Sequence, residues 1–470
     1  MKKGMLWFKN DLRLTDNESL VKAVESQFEI ICVYCIDPRL FQFTEYGFRK
    51  MGVNRYLFLQ QCLEKLRENL KKIGGDLLVV VGEPELEIPK LVAQYQIEAI
   101  FAEQEYATEE KKVIKKLVAN LPKDFNFQWS WGKTLYHLDD IPFATNQIPL
   151  TSKAFRINTT KNTEVRQTFG VPENILFINF NQSDDLPSPQ QLGFSEEELK
   201  NQFPFLKGGE TEAIERLNYY FYETQLLTNY KWTRNKSLGK DFSSKFSAYM
   251  ALGCLSPRTI YEQVKHYEET IKRNISTWWL IFEVVWRDYF TFKLMRFQNK
   301  VYHTSGIKDK PTTFENNEKL FEKWCSGTTG IPFVDANMRQ LNQTGFMSNR
   351  GRVNCSSFLI HDYRIDWTWG AAYFESKLID YDVASNWLNW HTQAFEIWYT
   401  NPVNQPLKYK EQEFIREWVF ELRHLNDQEV LIPWESAEVN NYPKPVEIPS
   451  KWHRAISAIK KIATGEHPPN

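Results

Sequence analysis

A change of hydrophobic period partway along the chain constrains its fold more than any other feature. Over residues 1–135, short apolar runs alternate with amphipathic segments. Runs at 5–8, 29–34, 77–81, 99–102 and 125–131 read as strands. Between them, a helix led by Asp16 through Val24 and helices at 55–72, 89–95 and 108–121 are expected. Leu57, Leu59, Cys62, Leu66 and Leu70 are the apolar positions of 55–72, Gly74-Gly75 ends it, and Pro122 stops 108–121. Such alternation predicts an α/β domain built on a doubly wound, mostly parallel sheet. No Gly-x-Gly-x-x-Gly opens its first helix, so a dinucleotide site of that kind is not expected.

From Gly208 the period is helical alone. Thr211 is placed to cap 212–222, and helical spacing recurs at 256–270, 277–297, 334–341, 353–361 and 370–380, with an aromatic helical run from 356 to 378. One all-α domain over 207–470 follows. Residues 136–206 carry six prolines and little periodicity, which reads as a long connector wrapped across the surface. The last twenty residues are basic and read as a peripheral tail. A chain of 470 residues with 42% hydrophobic content fills two such domains.

Composition excludes several classes. No run of some 18 apolar residues appears, and Met1 leads into a strand without an apolar leader, so a cytoplasmic protein with no membrane partner is expected. It is expected to be a monomer. Net charge is −1, which leaves a nucleic-acid surface to local rather than global electrostatics. Cys32-Val33-Tyr34-Cys35 lies inside an apolar run with no second Cys/His pair nearby, so buried strand cysteines are expected and no metal site. The 16 tryptophans exceed what routine packing needs and suit stacking or electron relay.

Polar groups concentrate between residues 344 and 390. Thr344-Gly345-Phe346-Met347-Ser348-Asn349-Arg350-Gly351-Arg352 opens the stretch, and Asp380-Tyr381-Asp382 with Ser385-Asn386-Trp387-Leu388-Asn389-Trp390 closes it. Burying so many polar groups costs several kcal/mol each unless they pair or bind something. A planar, polar-edged cofactor meets that need, and so does a self-satisfied polar network. Ser243, Ser244 and Ser247, with Lys245 and Phe246 among them, form a hydroxyl-rich turn before a helix, suited to a diphosphate or to simple capping. Glu283 and Arg287 are four apart and share a helix face.

Taken in order, Leu6-Trp7-Phe8-Lys9-Asn10-Asp11-Leu12-Arg13-Leu14, Asp241-Phe242-Ser243-Ser244-Lys245-Phe246-Ser247, Glu283-Val284-Val285-Trp286-Arg287-Asp288, Val334-Asp335-Ala336-Asn337-Met338-Arg339 and Phe414-Ile415-Arg416-Glu417-Trp418 resemble the photolyase–cryptochrome flavoproteins, DASH cryptochromes above all. The resemblance spans nearly the whole chain. It implies non-covalent FAD, with Ser243, Ser244, Lys245, Phe246 and Ser247 at the diphosphate and Tyr230 and Arg234 nearby. Arg352 and Asp380 would flank the isoalloxazine, Asp382 would sit at its pyrimidine edge, and Asn386 would face N5. Arg287 would also line this pocket. It implies further that Glu283, Trp286 and Asn349 contact a pyrimidine dimer in DNA, with Glu283 and Asn349 also binding the flavin and Asn349 donating to flavin and dimer together. Trp390 and Trp367 would be the inner two members of an electron relay. In the α/β domain, Glu105 is similar to an acid near the antenna chromophore, commonly a folate; it reads equally as a solvated loop carboxylate.

Two departures stand out. The outermost relay position falls on Phe314, and Thr392 stands where a second aromatic shields the dimer; the following loop, 393–399, is short. Three activities therefore compete: a blue-light-driven deoxyribodipyrimidine photo-lyase, a flavin photoreceptor without repair, and a flavoprotein that binds single-stranded nucleic acid by stacking.

Overall fold

A computed structural model describes residues 2–181, 185–200, 202–396, 399–436 and 441–464. Strands β1 (Lys3–Phe8), β2 (Glu29–Ile36), β3 (Leu77–Val81), β4 (Ala99–Glu103) and β5 (Asn126–Ser130) form one parallel sheet in the order β3-β2-β1-β4-β5. Helices α1 (Glu18–Glu25), α2 (Val53–Lys72), α3 (Pro84–Tyr95) and α4 (Thr108–Ala119) make the crossovers. Both faces are covered: Leu6, Phe8 and Cys32 enter one core, Met5, Trp7 and Val33 another. This explains why the strands read as continuous apolar runs. Strand order reverses between β1 and β4, which opens a crevice at the carboxyl ends of the strands.

Local chemistry moves two helix starts. Asn17, not Asp16, caps α1, accepting the Leu20 N–H at 3.0 Å. Asp16 instead adopts φ 55° and buries its carboxylate against Arg258 at 2.7 Å, tying the sheet domain to the helical one. Helix α3 begins at Pro84 and passes through Pro89. The carbonyl that Pro89 cannot reach, that of Glu85, accepts the Asn120 amide at 2.9 Å instead, so the proline breaks nothing.

The connector contains α5 (Ser152–Asn162) and α6 (Glu196–Leu199), with Phe155 fully buried against Tyr289 and Phe292. Beyond it run α7 (Glu210–Asn218), α8 (Tyr230–Thr233), α9 (Phe246–Ala251), α10 (Pro257–Thr270) and α11 (Ile275–Phe297). They are followed by α12 (Glu318–Ser326), α13 (Pro332–Thr344), α14 (Asn349–His361), α15 (Trp367–Lys377), α16 (Val383–Phe395), α17 (Asn404–Tyr409), α18 (Gln412–Trp418) and α19 (His453–Ala463). Thr211 does not cap α7: Gly209, at φ 120°, precedes it, and the Glu210 carboxylate accepts the Leu14 and Thr15 N–H groups, each at 2.9 Å. The run 356–378 is two helices, because Arg364 turns left-handed at φ 55° and Asp366 caps α15. Nor are the last twenty residues wholly peripheral: α19 buries Ile456 and Ile459, although 465–470 lie outside the described residues.

One apolar core joins a sheet face to α2 and α7–α11; a second gathers α12 through α19. Helix α16 belongs to both, giving Leu388 to the first and Trp390 to the second. The seam between these cores is where the predicted polar groups gather. No described helix is long and apolar enough to cross a membrane.

Candidate functional site

The inner wall of the seam starts from a close helix crossing. A Cβ on Gly351 would lie 1.9 Å from Asn337 Oδ1, so only glycine lets α14 approach α13 this closely. Ser348 caps α14 through the Gly351 N–H at 3.0 Å. Arg352, the next residue, places Nη2 at 2.9 and 2.8 Å from the two oxygens of buried Asp380. Two residues on, Asp382 turns the opposite way. It caps α16 at the Ser385 N–H (2.8 Å), accepts the Tyr106 hydroxyl at 3.1 Å and lies 3.5 Å from Arg287. Burial alone would raise its carboxyl, but Arg287 and Ser385 outweigh that and hold it below the usual range. Asn386, one turn into α16, donates Nδ2 to the Ala371 carbonyl at 2.9 Å, which fixes its amide.

The hydroxyl-rich turn is held from behind. Arg216 donates Nε to Ser244 O at 3.1 Å and Nη2 to Lys240 O and Ser243 O at 2.8 and 3.1 Å, using backbone carbonyls rather than the serine hydroxyls. Ser247 lies exposed on α9, and Phe246 is buried. Lys245, at φ 64°, is almost fully buried with its ammonium over Phe346 (4.7 Å) and Phe205 (5.7 Å). Burial first, then the Arg216 and Arg352 guanidiniums, push it down to about 7. Arg216 lies some 25 positions from the loop it supports, and no local signal marks it.

The outer wall is α11, whose cap Asn274 accepts the Ser276 and Thr277 N–H groups. Glu283 pairs with Arg234 at 2.8 Å and accepts the Trp279 indole N–H at 2.9 Å; it does not pair with Arg287, which donates to Met250 O. Tyr230 lies buried close by, its phenol raised by burial and by Glu283. Trp286 is half-buried on Phe282 and Phe290, with centroids at 5.7 and 5.9 Å. Asn349 is exposed at the start of α14.

Around Trp390 the aromatic contacts differ from the expected line. A Cβ on Gly370 would meet its ring at 2.2 Å, so glycine makes its slot. Its neighbours are Phe374 at 5.0 Å and fully buried Trp324 at 6.1 Å. Trp324 continues through Phe321 (5.8 Å) to Trp369 (5.3 Å) and Tyr46 (5.5 Å). Trp367 meets Trp387 and His391 instead, and donates its indole N–H to Thr304 O at 3.0 Å. Phe314 is partly buried at the edge of the second core, and Thr392 is half-buried on α16. Of the short loop, 397 and 398 lie outside the described residues.

A second set of predicted chemistry lies at the sheet crevice. Glu105 is not a solvated loop carboxylate: its side chain is 7% exposed, 2.8 Å from Lys9 and 3.7 Å from Lys133, which itself lies 2.9 Å from Glu103. Burial would raise Glu105, but Lys133 and Lys9 pull it lower. Lys9, Glu105 and Lys133 line a cavity of about 530 Å³ that extends from the ends of β1, β2 and β4 to Tyr381, Asp382 and Arg287 at the seam. Among the described residues no cluster of metal-ligating side chains occurs.

A doubly wound domain is thus joined to a polar seam between two apolar cores. Residues 5–173 match DNA photolyase, and 279–462 match the FAD binding domain of DNA photolyase. The chain is 40% identical over 481 residues to Cryptochrome DASH of Synechocystis sp., covering 97% of each protein. It superposes on the crystal structure of the Synechocystis sp. cryptochrome with a TM-score of 0.90, at 40% identity over 98% of this chain and 99% of that one. An archaeal photolyase from Sulfolobus tokodaii, solved with two FAD molecules, gives a TM-score of 0.77 at 26% identity, covering 98% and 100%. This chain belongs to the photolyase–cryptochrome family, beside the DASH cryptochromes.

The seam fits the FAD that this domain binds. Lys245 is buried with rings but no carboxylate in contact, and the buried Nε of Arg234 has no acceptor. Lys245 so placed lacks an anion, and Arg234, though paired with Glu283, keeps one open donor; a diphosphate supplies acceptors for both.

Proposed function

We propose that this protein is a blue-light-dependent photolyase that splits cyclobutane pyrimidine dimers in DNA, preferring single strands. One observation carries the reading: Glu283, clamped by Arg234 and Trp279, sits one helical turn from half-open Trp286. When bound, reduced FAD excited by blue light supplies one electron to the dimer and receives it back. The residues do the rest. Trp286 offers a ring on which the flipped dimer stacks, worth about 1–3 kcal/mol. Glu283, its second oxygen open, accepts a hydrogen bond from a ring N–H at the dimer's carbonyl edge. Asn349 donates from the start of α14. Arg352 and Asp380 hold the flavin ring, Asp382 and Arg287 its edge, and Asn386 presents an uncharged amide that tolerates negative charge there. Glu105, Lys9 and Lys133 line the seat of an antenna chromophore, a folate, in the sheet-edge cavity.

Thr392 and Phe314 favour a second reading, a photoreceptor without repair, because they thin the dimer shield and the outer relay. Irradiating chemically reduced protein with dimer-bearing oligothymidylate, single- and double-stranded, decides between them. Repair of the single strand, lowered in Glu283→Ala with flavin content intact, is the expected result. A wild type that repairs neither form overturns the proposal.

A further inference from the structure

The outer face of α11 carries aromatic side chains that the cleft does not use. Trp278 is 43% exposed and Trp232, on α8, is 69% exposed. Single exposed rings are ordinary on a folded surface; what sets these apart is how they connect to the cleft and to cations. Trp278 is joined to the cleft by an unbroken set of ring contacts, and Trp232 reaches Trp279 only through the Lys231 ammonium between them. Trp286 meets Phe282 at 5.7 Å, and Phe282 stacks on Trp278 at 5.3 Å with 26° between planes. Trp279 touches both Trp278 (5.6 Å) and Phe282 (5.3 Å).

Cations alternate with these rings. Arg156, from the connector helix α5, lies 5.3 Å from the Phe282 ring and 5.9 Å from that of Trp278. Lys231 lies between Trp232 (4.7 Å) and Trp279 (5.0 Å). Neither cation has a carboxylate partner among the described residues. The acid within the array, Glu283, is already neutralised by Arg234. Net charge is therefore positive along a strip that runs outward from the mouth of the cleft. Rings alternating with free cations are the composition that binds an unpaired nucleic-acid strand: bases stack on the rings and phosphates meet the cations, without base-specific readout.

We propose that this strip is a binding track for single-stranded DNA, on which bases flanking the lesion stack on Trp278 and Trp232 while Arg156 and Lys231 contact the intervening phosphates. The track rests on the repair reading only for the direction in which the strand runs; it binds undamaged strands as well. A duplex, whose bases are stacked on one another, cannot use it without opening. Strand preference then arises partly outside the cleft, from the cost of unstacking two or so flanking bases.

The test is fluorescence anisotropy of labelled, undamaged oligothymidylate, in the dark, with the flavin-loaded protein. Trp278→Ala and Trp232→Ala should each weaken single-strand binding by roughly five- to a hundredfold. Binding of a duplex of equal length should stay unchanged, as should flavin content. Trp278→Phe should restore most of the loss. Lys231→Ala and Arg156→Ala should each lower the salt slope of single-strand binding by about 0.7. Unchanged single-strand affinity in the double tryptophan variant overturns the track. So does a variant whose only change is loss of self-association, since the rings would then be a protein contact. Because the readout needs neither light nor a dimer, a wild type that binds through the strip yet repairs nothing defeats the repair reading alone.

Discussion

The sheet-edge cavity and the helical seam both bury charge, and they balance it in opposite ways. In the cavity, Lys9 faces Glu105 and Lys133 faces Glu103 and Glu105, so the charges in this corner are balanced before anything binds. In the seam, Arg352 pairs with Asp380 and Arg234 with Glu283, but Lys245 has rings and no carboxylate in contact and the Arg234 Nε has no acceptor. A ligand of the cavity adds packing, whereas a ligand of the seam completes an electrostatic set. Removing one charge should therefore matter far more in the seam.

The largest effect is expected at Asp380. Asp380→Asn leaves Arg352 facing Lys245 across the seam with no counter-charge. Breaking a buried pair from one side costs about 3–5 kcal/mol, and the lower end applies because Arg352 keeps some water contact. Thermal denaturation and the flavin absorbance of purified protein should show a clear fall in stability and loss of bound FAD. Full flavin content with native stability would mean that the seam is not organised by this pair.

Next in size is a pH effect at Lys245. With its folded value near 7, the lysine is charged below that pH and neutral above it. A diphosphate favours the charged form, so above pH 7 binding takes up a proton. FAD affinity should be flat below pH 7 and fall by up to roughly tenfold per unit as pH rises above it. Lys245→Met should bind more weakly with the slope removed. In the cavity, burial lowers Lys133, but Glu103 and Glu105 outweigh that and push it up. Burial raises Glu110, a lining carboxyl, to about 7, so once it is changed to Gln, ligand binding there should not change between pH 7 and 9. Equal slopes at both sites would dissolve the contrast.

How much of this was legible in the sequence follows the range of the interactions. Strands announce themselves because both sheet faces are covered and apolar runs result, as in Leu77–Val81. Caps two or three residues away, such as Asp382 to Ser385, lie within reach of motif reading. Asp16 and Thr211 do not start helices because their surroundings are settled by partners far along the chain: Arg258 claims Asp16, and the loop amides of Leu14 and Thr15 claim Glu210. The same limit hid Arg216 behind the serine turn. It also hid Glu411, which accepts the Ser237 N–H at 3.2 Å and is raised to about 7 by burial. Family resemblance supplied the residue types of the seam, but which pairs meet, such as Glu283 with Arg234, appears only in three dimensions.

A smaller effect concerns the aromatic side of the seam. Trp390 touches Trp324 and not Trp367, and from Trp324 the rings lead by Phe321 and Trp369 toward half-exposed Tyr46. Under blue light with external thiol, Trp324→Phe should slow accumulation of reduced flavin more than Trp367→Phe does. Tyr363, packed on Phe358 away from this line, should be silent when changed to Phe. If Trp367→Phe is the more damaging, electrons cross without ring contact and Phe314→Trp should speed them.

The smallest effect should come from Glu105→Gln, the counterpart of Asp380→Asn in the cavity. The substitution keeps the side chain's shape and an accepting oxygen while removing one negative charge. Lys133 retains Glu103 at 2.9 Å, and Lys9 retains the Glu103 carbonyl at 2.6 Å and the Trp7 ring at 4.9 Å. Neither ammonium is left stranded, so the cost in stability should be about 1 kcal/mol or less, with FAD content unchanged. What should weaken is retention of the chromophore in the cavity, read as loss of its absorbance and of the extra repair it supports under light that FAD absorbs poorly. A loss of stability matching that of Asp380→Asn would show that the cavity, too, depends on each single charge, and that its balanced corner does not protect it.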